Sequence, residues 1–143
     1  MSRLGRRAMA LDVGEKRIGV AISDEGGTIG SPLTIIDRGK KGPGIADVVR
    51  LAREWEVDVL VVGLPTGMSG REGPQAIETR AYGDLLGEAL GADLPLVFWD
   101  ERLTSAIADR VLRERGAGRD ERRGQRDAIA AAVILQGYLD SRR

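Results

Sequence analysis

The chain contains no cysteine and no histidine, and aromatic residues make up only 3% of it. Without cysteine there is no disulfide framework and no thiolate metal site, which fits a reducing compartment. Without histidine the commonest general base, the nucleophile–histidine triads and the imidazole zinc sites are all excluded. The scarcity of aromatic rings argues against sequence-specific reading of single strands by base stacking. Charge of one sign is also missing: Lys+Arg 22 balances Asp+Glu 22, so any electrostatic footprint must be local. No apolar run approaches the roughly 20 residues that span a bilayer. The opening "MSRLGRRAMALDVG" starts basic but meets Asp12 too soon for a signal peptide. A cytoplasmic protein without a membrane segment is therefore expected. The chemistry left to such a chain runs on carboxylates, hydroxyls, Lys and Arg. Carboxylates favour hard cations such as Mg²⁺ or Mn²⁺.

The length, 143 residues, suits one domain with one sizeable core, spanning 1–143. "AMALDVG" (8–14) and "RIGVAISD" (17–24) are two short apolar runs joined by a Gly-containing link, the pattern of a β-hairpin. "TIGSPLTIID" (28–37) reads as a third strand, at an edge because of Pro32. The period then changes. Ile45, Val48, Val49, Ala52 and Trp55 follow helical spacing. "VDVLVVGLP" (57–65) is the near-continuous run of a strand buried on both faces. After the Gly-rich "TGMSGREGPQ", Pro74 suits the first turn of a helix with Ile77, Ala81, Leu85, Leu86, Ala89 and Leu90 on its inner face. "LPLVFW" (94–99) reads as another buried strand. A helix capped by Thr104 or Ser105 ends near Gly116, and "GAGRDERRGQR" reads as a polar loop. The final helix, "DAIAAAVILQGYLD" (127–140), is apolar almost all round at its start. The order βββαβαβαα predicts an α/β fold: a mixed five-stranded sheet with helices on both faces.

Three acids stand where these elements begin or end. Asp12 lies inside the first strand run, Glu101 follows the strand at 94–99, and Asp127 opens the last predicted helix. An acid within an apolar strand must be paired, hydrogen-bonded or metal-bound. Glu101 beside Arg102 reads equally as a solvated ion pair, and Asp127 as an N-cap. Asp100 reads as a neighbour of the site or as solvated. If the three acids converge, they could hold one or two divalent cations that clamp a phosphodiester. Gly14 and Gly63 would admit close approach of backbone or substrate. "GLPTGMSGREG" lacks the GK[ST] ending of a Walker loop, although Ser69 and Arg71 can reach phosphates from it. The stretch from Arg113 to Arg126, with Arg122 and Arg123, is net positive and lies just before Asp127. Lys16, Arg17, Lys40 and Lys41 add local charge. Beside an acidic metal site such residues would hold a nucleic-acid backbone.

"LDVGEKRIGVAISD", "VVGLPTGMSGREG", "DERLTSAIA" and "DAIAAAVILQGYLD" together resemble the four signature blocks of the YqgF family, also called RuvX. Its members are candidate pre-16S rRNA nucleases or Holliday junction resolvases. The resemblance runs from about Ala8 to Asp140, and the order and spacing of all four blocks carry it. It implies a ribonuclease H-like fold and a nuclease using Mg²⁺ or Mn²⁺. The family's acidic positions fall on Asp12, Glu101 and Asp127, as metal ligands. Arg102 and Thr104 belong to the Glu101 block and, by the same resemblance, orient it or the scissile phosphate. One departure stands out. The family often carries a Lys two or three residues before the last acid, where this chain has Gln125 and Gly124. Arg126, Arg123 or Arg122 is the replacement to consider, and an Arg differs from a Lys in geometry.

The expected function is metal-dependent hydrolysis of nucleic-acid phosphodiesters. The expected partner is structured RNA, in maturation of pre-16S rRNA ends, or branched DNA, in junction resolution; monomer and homodimer both stay open. Two other classes compete. "LDVGEKRIGVAISD" also resembles the phosphate-binding hairpin of sugar-kinase and actin-like ATPases. Those use two such domains around a nucleotide, and this length supplies one. A non-catalytic nucleic-acid-binding module would keep the arginines but has no need of all three acids.

Overall fold

The computed structural model describes residues 6–38, 42–65, 71–101 and 119–142, without the side chains of 119–125. Three strands come first: β1 (Ala8–Val13), β2 (Arg17–Ser23) and β3 (Gly30–Asp37). Then follow α1 (Ile45–Glu54), β4 (Val59–Leu64), α2 (Pro74–Leu90), β5 (Leu96–Asp100) and α3 (Arg119–Ser141). The helix expected at 104–116 lies outside the described residues, as do Lys40, Lys41, Ser69, Arg102 and Thr104.

The five strands form one mixed sheet in the order β3-β2-β1-β4-β5. β1, β2 and β3 are the antiparallel meander, and β4 and β5 join β1 in parallel. Pro32 sits on the edge strand, as its missing N–H demands. The β1–β2 turn is closed by Gly14 N–H donating to the Arg17 carbonyl at 2.8 Å. It is also held from β3: Arg38 N–H donates to the Lys16 carbonyl at 2.8 Å, and the Arg38 guanidinium donates to the Gly14 carbonyl.

Alternation along the strands sorts side chains into two layers. Met9, Leu11, Ile18, Val20, Leu60 and Val62 face α1 and α2, where they pack with Val48, Ala52, Tyr82 and Leu86. Ala8, Ala10, Ala21, Val59 and Val61 face α3, against Ala131, Ile134, Leu135 and Leu139. The sheet is thus covered on both sides, as the patterning predicts.

Three details differ from the sequence expectation. β5 is only half-buried, because it is the last strand of the order rather than a central one. α2 is rotated: Ala76, Thr79, Tyr82, Gly83 and Leu86 point inward, while Ile77 and Leu85 remain 62% and 54% exposed. The helix carries two adjacent apolar stripes, and packing against the sheet selects between them. Tyr82 fixes the choice by donating its hydroxyl to the Pro43 carbonyl at 2.8 Å. Gly83 lies against the Phe98 ring, where a Cβ would come within 2.5 Å of Cζ. Finally, α3 begins at Arg119, so residues 119–126 of the segment expected as a polar loop are its first two turns. Arg, Glu and Gln favour helix, and Gly124 costs only about 1 kcal/mol there. Charged loop and solvated helix share one composition.

Candidate active site

β1, β4 and β5 run parallel, so their C-terminal ends lie together at one end of the sheet. Open α/β sheets present ligands at that end. Asp12 is two residues beyond Ala10 and therefore faces α3. Glu101 follows β5, and its N–H donates to the Leu64 carbonyl at 3.1 Å, which extends the β4–β5 ladder to this residue. It shares the parity of Val97 and Trp99, both packed in the α3-side layer. Asp127 comes from α3 itself. It is well inside the helix, so the N-cap role is excluded.

Two glycines make this convergence sterically possible. Gly19 is the register partner of Asp12. A Cβ at Gly19 would stand 1.9 Å from the Asp127 carbonyl oxygen, so the backbone of α3 rests directly on β2 at this point. A Cβ at Gly63 would stand 2.4 Å from Glu101 Oε2 and 2.4 Å from Ile134 Cδ1. Gly63 is the close-approach position that its place in a buried strand suggested. Gly14 is instead a turn residue, 2.9 Å from the Arg17 carbonyl oxygen if given a Cβ. Gly19 escaped the sequence reading, although a lone glycine in "RIGVAIS" is the usual mark of close backbone approach.

The electrostatics of the site are those of acids crowded out of water. Burial pushes the Glu101 carboxyl up from 4.5 to about 8, with the Asp12 charge and the hydrogen bond to Asp12 adding to it. Asp12 rises from 3.8 to about 6, first through burial and then through the negative charge of Asp127; the Glu101 hydrogen bond and Arg126 pull the other way. Asp12 and Glu101 thus share a hydrogen bond, and both hold a proton more tightly than a free carboxyl. Glu101 Oε2 is buried without a hydrogen-bond partner. Asp100 is exposed, and its charge adds to the rise at Glu101. Asp127 accepts a hydrogen bond from Arg17 Nε at 3.0 Å.

Three oxygen-donor side chains at one sheet end, one with an orphaned buried oxygen, suit a hard divalent cation. Among the described residues no group of three or more acids forms a ready metal cluster, and the Asp127 carboxylate is paired with Arg17. The predicted basic residues are distributed unevenly. Arg17 stands beside Asp127, and Arg126 is exposed within the electrostatic reach of Asp12. Lys16 lies exposed in the β1–β2 turn, and Arg71 is exposed ahead of α2. Arg122 and Arg123 lie on α3, with side chains outside the described residues.

The family described as RuvX: Holliday junction resolvase matches residues 6–141 of this chain. A protein of Chloroflexus aurantiacus named as a candidate pre-16S rRNA nuclease is 47% identical over 135 residues, covering 94% of this chain and 87% of that protein. One of Roseiflexus with the same name is 43% identical over 143 residues and covers both chains fully, at 100%. Among solved structures, the Fowlpox virus resolvase in complex with Holliday junction DNA superposes with a TM-score of 0.61 at 13% identity, covering 94% of this chain and 97% of that one. RuvC of T. thermophilus with a Holliday junction substrate gives 0.58 at 19% identity, covering 95% of each chain. At these identities the likeness is one of fold, and that fold is ribonuclease H-like.

Proposed function

The chain belongs to the RuvX family, and from that premise we propose that it is a metal-dependent endonuclease that hydrolyses phosphodiesters of structured RNA during maturation of pre-16S rRNA ends. The observation that carries the reading is the half-buried Asp12–Glu101 pair at the ends of parallel strands, with α3 bringing Asp127 to it across Gly19. A structural ion pair has no use for two acids whose charges oppose each other. A cation site does.

Asp12, Glu101 and Asp127 are the residues that would hold Mg²⁺ or Mn²⁺. When bound, such an ion supplies Lewis acidity and neutralises developing charge on the phosphate. The raised Asp12 and Glu101 carboxyls, one with an unpartnered Oε2, are the groups that would supply oxygen donors to such an ion. Arg126 and Lys16, both exposed near this end of the sheet, contact the nucleic-acid backbone and set its register. Arg71 enters from the segment ahead of α2, with Ser69, Arg102, Thr104, Arg122 and Arg123 as further contacts. On this reading the chain is one nuclease domain acting in the cytoplasm, and no helix of the described residues is long and apolar enough to cross a membrane.

Resolution of Holliday junctions is the second reading, favoured by the family's description. It carries a structural requirement: paired cuts need two sites related by symmetry, hence a homodimer. Trimming an RNA end needs one site, and a monomer suffices.

The test runs a labelled four-way DNA junction and a labelled RNA spanning a precursor 16S end in parallel, with Mn²⁺ or Mg²⁺. Asp12→Asn runs beside the wild type. RNA cleavage that falls at least about 100-fold in the variant, with its circular dichroism unchanged, supports rRNA maturation. Paired symmetric nicks in the junction alone, lost in the variant, support the resolvase. Equal cleavage by the variant sinks the assignment of Asp12.

A further inference from the structure

Arg17 opens β2, and the two-residue period of the strand puts Arg17, Gly19 and Ala21 on the side facing α3. Its Nε donates to Asp127 Oδ2 at 3.0 Å. The two side chains are 41% and 22% exposed, so the pair sits at the mouth of the site. Among the described residues the terminal nitrogens of Arg17 make no hydrogen bond. The carbonyl oxygen of Asp127 lies against Gly19, and its carboxylate can turn about the side-chain torsions. It has two places to go: toward Arg17, where it is, or toward Asp12, whose charge it already feels.

The charge of Asp127 raises the Asp12 carboxyl and that of Asp12 raises Glu101, so without a cation these acids repel one another. Asp12 and Glu101 answer this by sharing a hydrogen bond. Asp127 answers it with Arg17. An ion pair this exposed is worth little, so a divalent ion displaces it readily. A guanidinium stays charged at any working pH and has the fork geometry that suits a phosphate.

We propose that Arg17 is a positioning residue that stands in for the cation at Asp127: it holds the third acid until a divalent ion takes that carboxylate, and the released guanidinium then grips a substrate phosphate. This rests on the reading that Asp12, Glu101 and Asp127 hold the ion. Release from Asp127 adds the Nε–H to the terminal N–H groups available to a phosphate, so entry of the ion strengthens the grip on the substrate.

The experiment is calorimetric titration of Mn²⁺ into nucleic-acid-free wild type, Arg17→Gln, Arg17→Lys and Asp12→Asn. It is paired with KM for cleavage of whichever substrate the wild type cuts, at saturating Mn²⁺ and several salt concentrations. Arg17→Gln should bind Mn²⁺ about two- to fivefold more tightly than wild type, since an exposed competitor is gone. Arg17→Lys, which keeps the charge, should stay close to wild type in metal affinity. In Arg17→Gln, KM should rise and its log–log salt dependence should fall by about one unit, the mark of one lost phosphate contact. A residue that merely braced the fold would do the opposite to the metal: its loss would weaken Mn²⁺ binding. Unchanged or weaker Mn²⁺ binding in Arg17→Gln, with binding still lost in Asp12→Asn, overturns the role of Arg17 alone. Equal binding by wild type and Asp12→Asn overturns the acid site, and the role of Arg17 falls with it.

Discussion

The two faces of the sheet are built from different stock. Toward α1 and α2 the strands present Met9, Leu11, Ile18, Val20, Leu60 and Val62, large side chains that fill a thick layer. Toward α3 they present Ala8, Ala10 and Ala21 beside Val59 and Val61, with Gly19 and Gly63 where the helix backbone or an acid comes closest. Bulky residues bury much apolar area and tolerate small adjustments. Small residues bury less but bring two backbones into direct contact, which leaves little freedom to shift. The acids stand on the second face. There the molecule holds carboxylates against their own solvation, while the first face supplies the burial that makes this affordable.

That contrast can be broken most severely at Gly19. Gly19→Ala places a methyl where the Asp127 carbonyl already stands, and backbone cannot yield as a side-chain tip can. Overpacking typically costs about 1–3 kcal/mol, and this position belongs at or above the top of that range. Thermal denaturation should show a large fall in Tm. Activity per folded molecule should fall as well, because α3 carries Asp127 away with it.

A cavity on the other face should separate stability from chemistry. Leu86→Ala empties a fully buried site between α2 and the sheet, at a cost of about 2–5 kcal/mol. Urea unfolding should report that loss. Mn²⁺ affinity, measured well below the transition, should remain that of the wild type. A parallel loss of metal affinity would mean the two faces are coupled and the contrast is false.

The smallest effect is a pH dependence. Asp12 and Glu101 have folded-state values raised to about 6 and about 8, above ordinary carboxylates at 3.8 and 4.5. The folded, metal-free protein therefore binds more protons than the unfolded chain between those limits. Stability is fully present below about pH 4 and is lost as pH rises through about 8. Tm in the presence of a chelator should decline across this window. Glu101→Gln should flatten the decline, and saturating Mn²⁺ should reverse it. A flat profile in the wild type would mean the two acids are not desolvated.

Much of this was legible in the residues. Asp12 draws attention because an acid in "ALDV" must be paired, hydrogen-bonded or metal-bound, and strand ends are marked by the change from apolar to charged at Trp99–Asp100. Two things were hidden for physical reasons. The segment 119–126 has the composition of a loop and of a solvated helix alike, so Asp127 passed for a cap when it lies within α3. On α2, two apolar stripes compete, and nothing local says that Tyr82 and Gly83 rather than Ile77 and Leu85 meet the sheet.

Sequence alone determined the number and kind of strands, limited the available metal donors to oxygen once cysteine and histidine are absent, and singled out three acids. These follow from short-range facts: periodicity, side-chain chemistry and the cost of an unpaired charge in an apolar run. Only the tertiary structure decided that Glu101 and Asp12 share a hydrogen bond, that Asp127 is held by Arg17, and that Gly19 is the seat of α3. Those contacts join residues far apart in the chain. They depend on how closely a helix can lie on a sheet, a distance set by every small side chain on that face at once.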